Sequence, residues 1–78
     1  MPNPASDVLN VVYELNQNTP VKISVVDLTG RTMMDVLSET EAKGKYQQTI
    51  HLNSIAEGIY LLNFMSEKGS FNTRFVKQ

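Results

Sequence analysis

The chain has 78 residues, 41% hydrophobic and 19% charged, with a net charge of −1 and no cysteine. That is enough for one small globular domain, taken as residues 1–78, and it excludes disulfides, thiolate metal sites and a cysteine nucleophile. Its basic residues are scattered rather than striped, which argues against a nucleic-acid partner. The longest apolar run, "IYLLNFM", falls far short of the ~20 residues of a transmembrane segment.

In chain order, Pro2 and Pro4 precede a first run, "LNVVYEL", that puts Leu9, Val11, Tyr13 and Leu15 on one face. After "NQNTP" comes "VKISVVD", with Val21, Ile23 and Val25 inward and Lys22 and Ser24 outward. "LTGR" is a tight turn in which Gly30 is free to take positive φ, with Asp27 fixing the turn through its side-chain oxygen. "RTMMDVL" alternates less cleanly, because Met33 and Met34 point opposite ways, and "SETEAKGK" reads as a polar loop. "KYQQTIHL" puts Tyr46, Ile50 and Leu52 inward, with Gln48 a polar exception. "NSIAEG" is a bend before "IYLLNFM", which is apolar on both faces and so reads as a central strand. "EKGS" is a hairpin turn, and "GSFNTRFVKQ" is a last strand with Phe71, Thr73 and Phe75 on one face. Period-2 alternation with turn signals between the runs predicts an all-β sandwich or barrel. Six strands are expected, with a short seventh near the N-terminus or in the "SETEAKGK" loop. Phe64, Phe71, Phe75 and Tyr13 read as core. No internal repeat is evident.

Chemistry-bearing constellations are missing. His51, the one histidine, alternates with inward Ile50 and Leu52 and is expected in solvent. Glu39 and Glu41 are the closest acidic cluster and read as a solvated loop. No nucleophile elbow or phosphate loop occurs. The domain is expected to be no enzyme, with no catalytic residue, cofactor or metal.

The order of the motifs is more telling. "PNPASD" opens the chain, "VVDLTGR" carries an Asp-x-x-Gly-Arg turn, "LNSIAEGIYLLNF" carries a Gly-x-Tyr bend into a long strand, and "RFVKQ" ends it. Together they resemble the C-terminal sorting domain of the type IX (Por) secretion system of Bacteroidetes, over essentially the whole chain. Met1 departs from the pattern, which usually has an aromatic residue there; this fits a domain excised from a larger secreted protein, with the processing site upstream of residue 1. No signal peptide is read at the N-terminus.

The resemblance implies an all-β, immunoglobulin-like antiparallel β-sandwich of six to seven strands that serves as a label for a cargo fused at its N-terminal side. Its partners would be an outer-membrane translocon, a shuttle and a sortase-like peptidase that typically removes the domain during surface attachment. Localisation would be secreted: periplasm in transit, then cell surface or extracellular. Recognition is expected at Asp27, Gly30, Arg31, Gly58, Tyr60, Arg74, Val76, Lys77 and Gln78. Independently, the second face of the central strand offers an apolar patch of Ile59, Leu61 and Met65, unless a loop covers it. The last strand, taken as a sheet edge, would be open to strand addition or a weak homodimer. The alternative is a non-catalytic β-sandwich accessory module, binding carbohydrate or spacing domains of an extracellular enzyme; exposed coplanar rings would favour it.

Overall fold

Seven strands follow from the alternation: β1 (Asn3–Ala5), β2 (Val8–Leu15), β3 (Thr19–Asp27), β4 (Thr32–Glu41), β5 (Gly44–His51), β6 (Gly58–Ser66) and β7 (Gly69–Lys77). The computed structural model describes the backbone of residues 3–5 and residues 7–78 in full. The expectations attached to Met1 and Pro2 lie outside the described residues. No helix occurs among the described residues.

Five strands form one sheet in the order β1-β7-β6-β3-β4, and β2 and β5 form a second. Every pairing is antiparallel except β1 with β7. The architecture is the expected immunoglobulin-like sandwich, and β1 is the short seventh strand. β3 lies between two partners and is the most buried strand; Ile23 and Val25 on its inner face are fully shielded. Opposite and around them pack Leu15, Val21, Ile50, Leu52, Ile55, Tyr60, Leu62, Phe64 and Phe75. Leu9, Val11 and Tyr13 are half-buried against this cluster. The Tyr13 hydroxyl donates to the Glu41 carboxylate, tying β2 to the end of β4. Burial, and next that hydrogen bond, push the Tyr13 phenol well above its ordinary pKa.

Four expectations need correction. Most of "SETEAKGK" is strand, since β4 runs to Glu41 and only Ala42 and Lys43 separate it from β5. The uneven alternation of β4 has a cause: its register against β3 skips Met33 and Val36, two bulges that let Met33, Met34, Val36 and Leu37 all lean on the core. Ser24 faces outward yet is buried, because β3 is central and Ser24 is flanked by Asp35 on β4 and Asn63 on β6. Phe71 is on the inner face but 58% exposed. A two-stranded sheet is too narrow to cover a five-stranded one, and Phe71 stacks on the neighbouring Phe64 ring, 5.4 Å away, with most of its surface in solvent.

The last strand is also not a simple edge. β1 pairs with Phe75–Lys77, and among the described residues Gly69–Arg74 of β7 has no partner on that side. His51 is exposed, as alternation requires.

Candidate functional site at one end of the large sheet

The "DLTGR" segment closes the β3–β4 hairpin. Asp27 C=O accepts from Gly30 N–H at 3.0 Å, and Asp27 N–H donates to Arg31 C=O at 2.9 Å. Gly30 has φ +90°, so the loop Leu28-Thr29-Gly30 is a turn closed by a left-handed residue. The Asp27 Oδ1 accepts three bonds: from Thr29 N–H (2.9 Å), Thr29 Oγ1 (2.6 Å) and Arg31 N–H (3.0 Å). The Thr29 hydroxyl first, then the Arg31 backbone, hold the Asp27 carboxyl below the ordinary carboxylate range. Arg31 reaches Asp27 only loosely, Nε to Oδ2 at 3.8 Å, and its side chain is largely in solvent.

Tyr60 anchors the next motif. Its hydroxyl donates to Ala56 C=O at 2.6 Å, four residues back, while its ring is buried. This is a tyrosine corner: the phenol satisfies a loop carbonyl that would otherwise be stranded beside the core. In the same bend Ile55 turns into the core and its N–H donates to Leu52 C=O at 3.2 Å. So "NSIAEG" plugs an end of the sandwich and does not cover the outer face. The device occurs twice. Tyr46 donates to Ala42 C=O, also at 2.6 Å and four residues back. "AKGKY" and "AEGIY" share Ala-x-Gly-x-Tyr, a local repeat that is invisible until both hydroxyls are seen on equivalent carbonyls.

Register brings the motifs together. Asp27 stands opposite Tyr60, Tyr60 opposite Phe75, and Phe75 opposite Asn3. One row across β3, β6, β7 and β1 therefore passes through all four of the sequence motifs. Phe75 is 1% exposed and its ring lies 5.9 Å from that of Tyr60.

The neighbouring rows hold most of the remaining candidates. Gly58 pairs with Lys77, Ile59 with Val76, and Leu61 with both Arg74 and Val26. Directly opposed residues share a face, so Ile59, Leu61, Arg74, Val76 and Val26 lie together on the outer face. Ile59 is exposed, Leu61 and Val76 are half-buried, and Val26 is buried. Gln78 lies just beyond the strand, in solvent. Met65 does not belong to this group. Six residues along β6 from Ile59, about 20 Å at strand rise, it stands at the other end of the sheet between Lys22 and Ser70, with polar Asn63 intervening. There it borders a shallow hollow of about 370 Å³ with Pro20, Lys22, Thr40 and Glu67.

The model of the family described as "Secretion system C-terminal sorting domain" matches residues 1–78. The chain belongs to that family. It is a type IX secretion sorting domain, and the family is not a catalytic one. No curated protein and no solved structure matches the chain. In this sorting domain the motifs thus meet in space as well as recurring in order. The one contribution that sequence reading missed is Val26. Its outward parity and apolar character were legible, but its place beside Leu61 depends on the β3–β6 register.

Proposed function

We propose that the domain directs a cargo, fused at its N-terminal side, through the periplasm to the type IX outer-membrane translocon, with help from a shuttle. A sortase-like peptidase then removes the domain at a site upstream of residue 1 as the cargo reaches the cell surface or medium. In this role residues 1–78 act as a single sorting domain of a cargo-bearing chain. The observation that carries the reading is the family match over the whole chain.

The recognition surface we assign is the motif-bearing end of the large sheet. Asp27, Gly30, Gly58 and Tyr60 build it; Arg31, Arg74, Val76, Lys77 and Gln78 present it, with Ile59 and Leu61 as its apolar floor. The division follows burial and bonding. Tyr60 is enclosed and the Asp27 carboxylate is engaged by the turn, whereas Arg31 and Arg74 are exposed. The accessory-module reading gains little support: of the six rings, only Phe71 is in the exposed class, and a carbohydrate platform needs more than one flat face.

Truncation tests the proposal. Removing Lys77 and Gln78 leaves Phe75 in place, so the melting temperature is expected to change little. Delivery of a fused reporter to the cell surface is expected to fall sharply, with reporter accumulating in the periplasm. Full-rate delivery by the folded, shortened domain would exclude the terminal residues from the signal. Arg31→Ala and Arg74→Ala, each with unchanged melting, then locate the contact among the exposed cations.

A further inference from the structure

We propose that the free edge of β5 receives an extended segment of the export machinery, which joins the small sheet as a third strand; the inference rests on the sorting role only for the identity of that partner. The backbone pattern supplies the edge. Leu52 N–H donates to Asp7 C=O at 2.8 Å, and these two residues continue the β2–β5 register, in which Val8 stands opposite His51. In an antiparallel ladder bonded and non-bonded pairs alternate. The pairs Leu9–Ile50, Val11–Gln48 and Tyr13–Tyr46 therefore exchange bonds, whereas Lys45, Gln47, Thr49 and His51 turn N–H and C=O away from β2. Among the described residues these four have no backbone partner on that side.

Two edges lie together on this side of the molecule, and they differ. β5 follows β4 after only Ala42 and Lys43, while the end of β2 borders Phe64, Ser66 and Lys68, so β5 is the strand of the small sheet nearer β4. The β4 edge is broken by register shifts at Met33 and Val36 and carries Asp35 and Glu39, features that discourage strand addition. The β5 edge keeps one unbroken register from Gly44 to His51, with no proline and no acid. It also has an apolar floor. Met34 and Leu37 on β4 stand opposite Val25 and Ile23, which are fully shielded, yet are themselves only half-buried. Cover from the small sheet thus ends between β3 and β4. A constant-type immunoglobulin sandwich divides its strands four and three. Here the division is five and two, and one strand beside β5 would lie over these side chains.

The chemistry of the occupant follows from β2, which fills the other side of β5. β2 sets Leu9, Val11 and Tyr13 inward and Glu14 opposite Lys45. A segment on the free side meets the same Lys45, with Met34 and Leu37 below it. Apolar residues at alternate positions and a carboxylate beside Lys45 fit that setting. A second copy of the domain does not, because pairing β5 with β5 would bring two β4 edges together, with Asp35 and Glu39 of both on one seam.

Proline substitution separates the edge from the ladder. Gln47→Pro removes an N–H that faces outward, which an edge strand tolerates, and should melt close to wild type; Gln48→Pro removes a ladder donor and should not. Surface delivery of a fused reporter by Gln47→Pro is expected to fall about tenfold or more, because one donor is lost from the added ladder. Gln47→Thr, which keeps the N–H, should deliver at the full rate. Thr49→Pro gives a second site at which the same pair of results is expected. Exchanging charges with Glu14→Lys and Lys45→Glu together keeps opposite charges facing across β2 and β5 but reverses the one offered at the edge, so delivery should fall severalfold with melting unchanged. Full delivery by folded Gln47→Pro and Thr49→Pro overturns the proposal. A concentration-dependent dimer that Gln47→Pro abolishes also overturns it, because a second copy would then fill the edge. The wild-type domain is the reference: a failure of sorting shows there, whereas a failure of this proposal shows only in the variants.

Discussion

β6 and β7 form one hairpin with two unlike ends. At Tyr60 and Phe75 the hairpin is flanked by β3 and β1, its rings are enclosed, and a tyrosine corner closes the bend behind it. At Phe64 and Phe71 the same two strands pair just as regularly, yet Phe71 is largely in solvent and, among the described residues, β7 has no neighbour there on one side. Strand pairing alone does not make a core. The end where β1 sits and Ile55 plugs the bend is the end that carries all four motifs.

The largest contrast expected is between the two phenylalanines. Phe75→Ala should cost about 3–5 kcal/mol, a large part of the stability of so small a domain. Phe71→Ala should cost no more than the loss of its ring stack, about 0.5–1.5 kcal/mol. Denaturant titrations of both variants measure this, and equal losses would mean that the bare end is covered in solution. Ile23→Ala, in the middle of the sheet and fully buried, should fall near the Phe75 variant, at about 2–5 kcal/mol.

A second set of variants sharpens the comparison between turns at opposite ends. Gly30→Val places a β-branched residue at φ +90°, where it is expected to cost about 1–2 kcal/mol or more. No atom lies within 4 Å of where a Cβ would stand, so the loss would be conformational rather than steric crowding. Gly69, at φ +128° in the opposite turn, has equally open space. The two substitutions are expected to destabilise alike, whereas only Gly30→Val should reduce export.

The corners come next. Tyr60→Phe removes a hydrogen bond from a buried ring and Tyr46→Phe one from a half-buried ring. The first is expected to cost about 1–2 kcal/mol and the second less than about 1, as read by melting temperature.

The smallest effect is acid sensitivity. The Asp27 carboxyl titrates lower in the folded chain than when unfolded. Its contribution is therefore complete above the unfolded value, near 3.9, and is lost as pH falls through the folded value. The difference in melting temperature between wild type and Asp27→Asn should be constant near neutrality and shrink as pH falls from the unfolded value through the lower folded one. A difference that persists in strong acid would assign it to shape rather than charge.

Period-2 alternation made the elements legible but not their depth. It identified β2, β3, β5, β6 and β7 nearly to the residue, because a side chain's face follows from its parity. It shortened β4, because Ser38–Thr40 are polar and exposed and read as loop, although they pair in register with Pro20–Lys22. It put Phe71 in the core and Ser24 in solvent for one reason: parity says which face a residue takes, and the number of strands covering that face says whether it is buried. The motifs were readable in order, whereas their meeting in one row across four strands required the registers of β1, β3, β6 and β7. Met65 was grouped with Ile59 because both point outward, and no sequence pattern shows that they stand at opposite ends of a strand.

The parallel pairing of β1 with β7 has a mechanical consequence. β1 begins at Asn3 opposite Phe75 and runs with β7 toward Lys77, so the N-terminal end of one strand and the C-terminal end of the other lie at opposite ends of the ladder. If a receptor holds the C-terminal residues while cargo is drawn away, tension runs along the two strands in opposite senses. The ladder is then loaded in shear, and its three described residue pairs bear the force together rather than opening one after another. Such a joint gives way at a threshold. Below it, the last strand keeps its flank covered; above it, β1 slides off as a unit and uncovers Phe75–Lys77 while Phe75 still anchors β7 in the core.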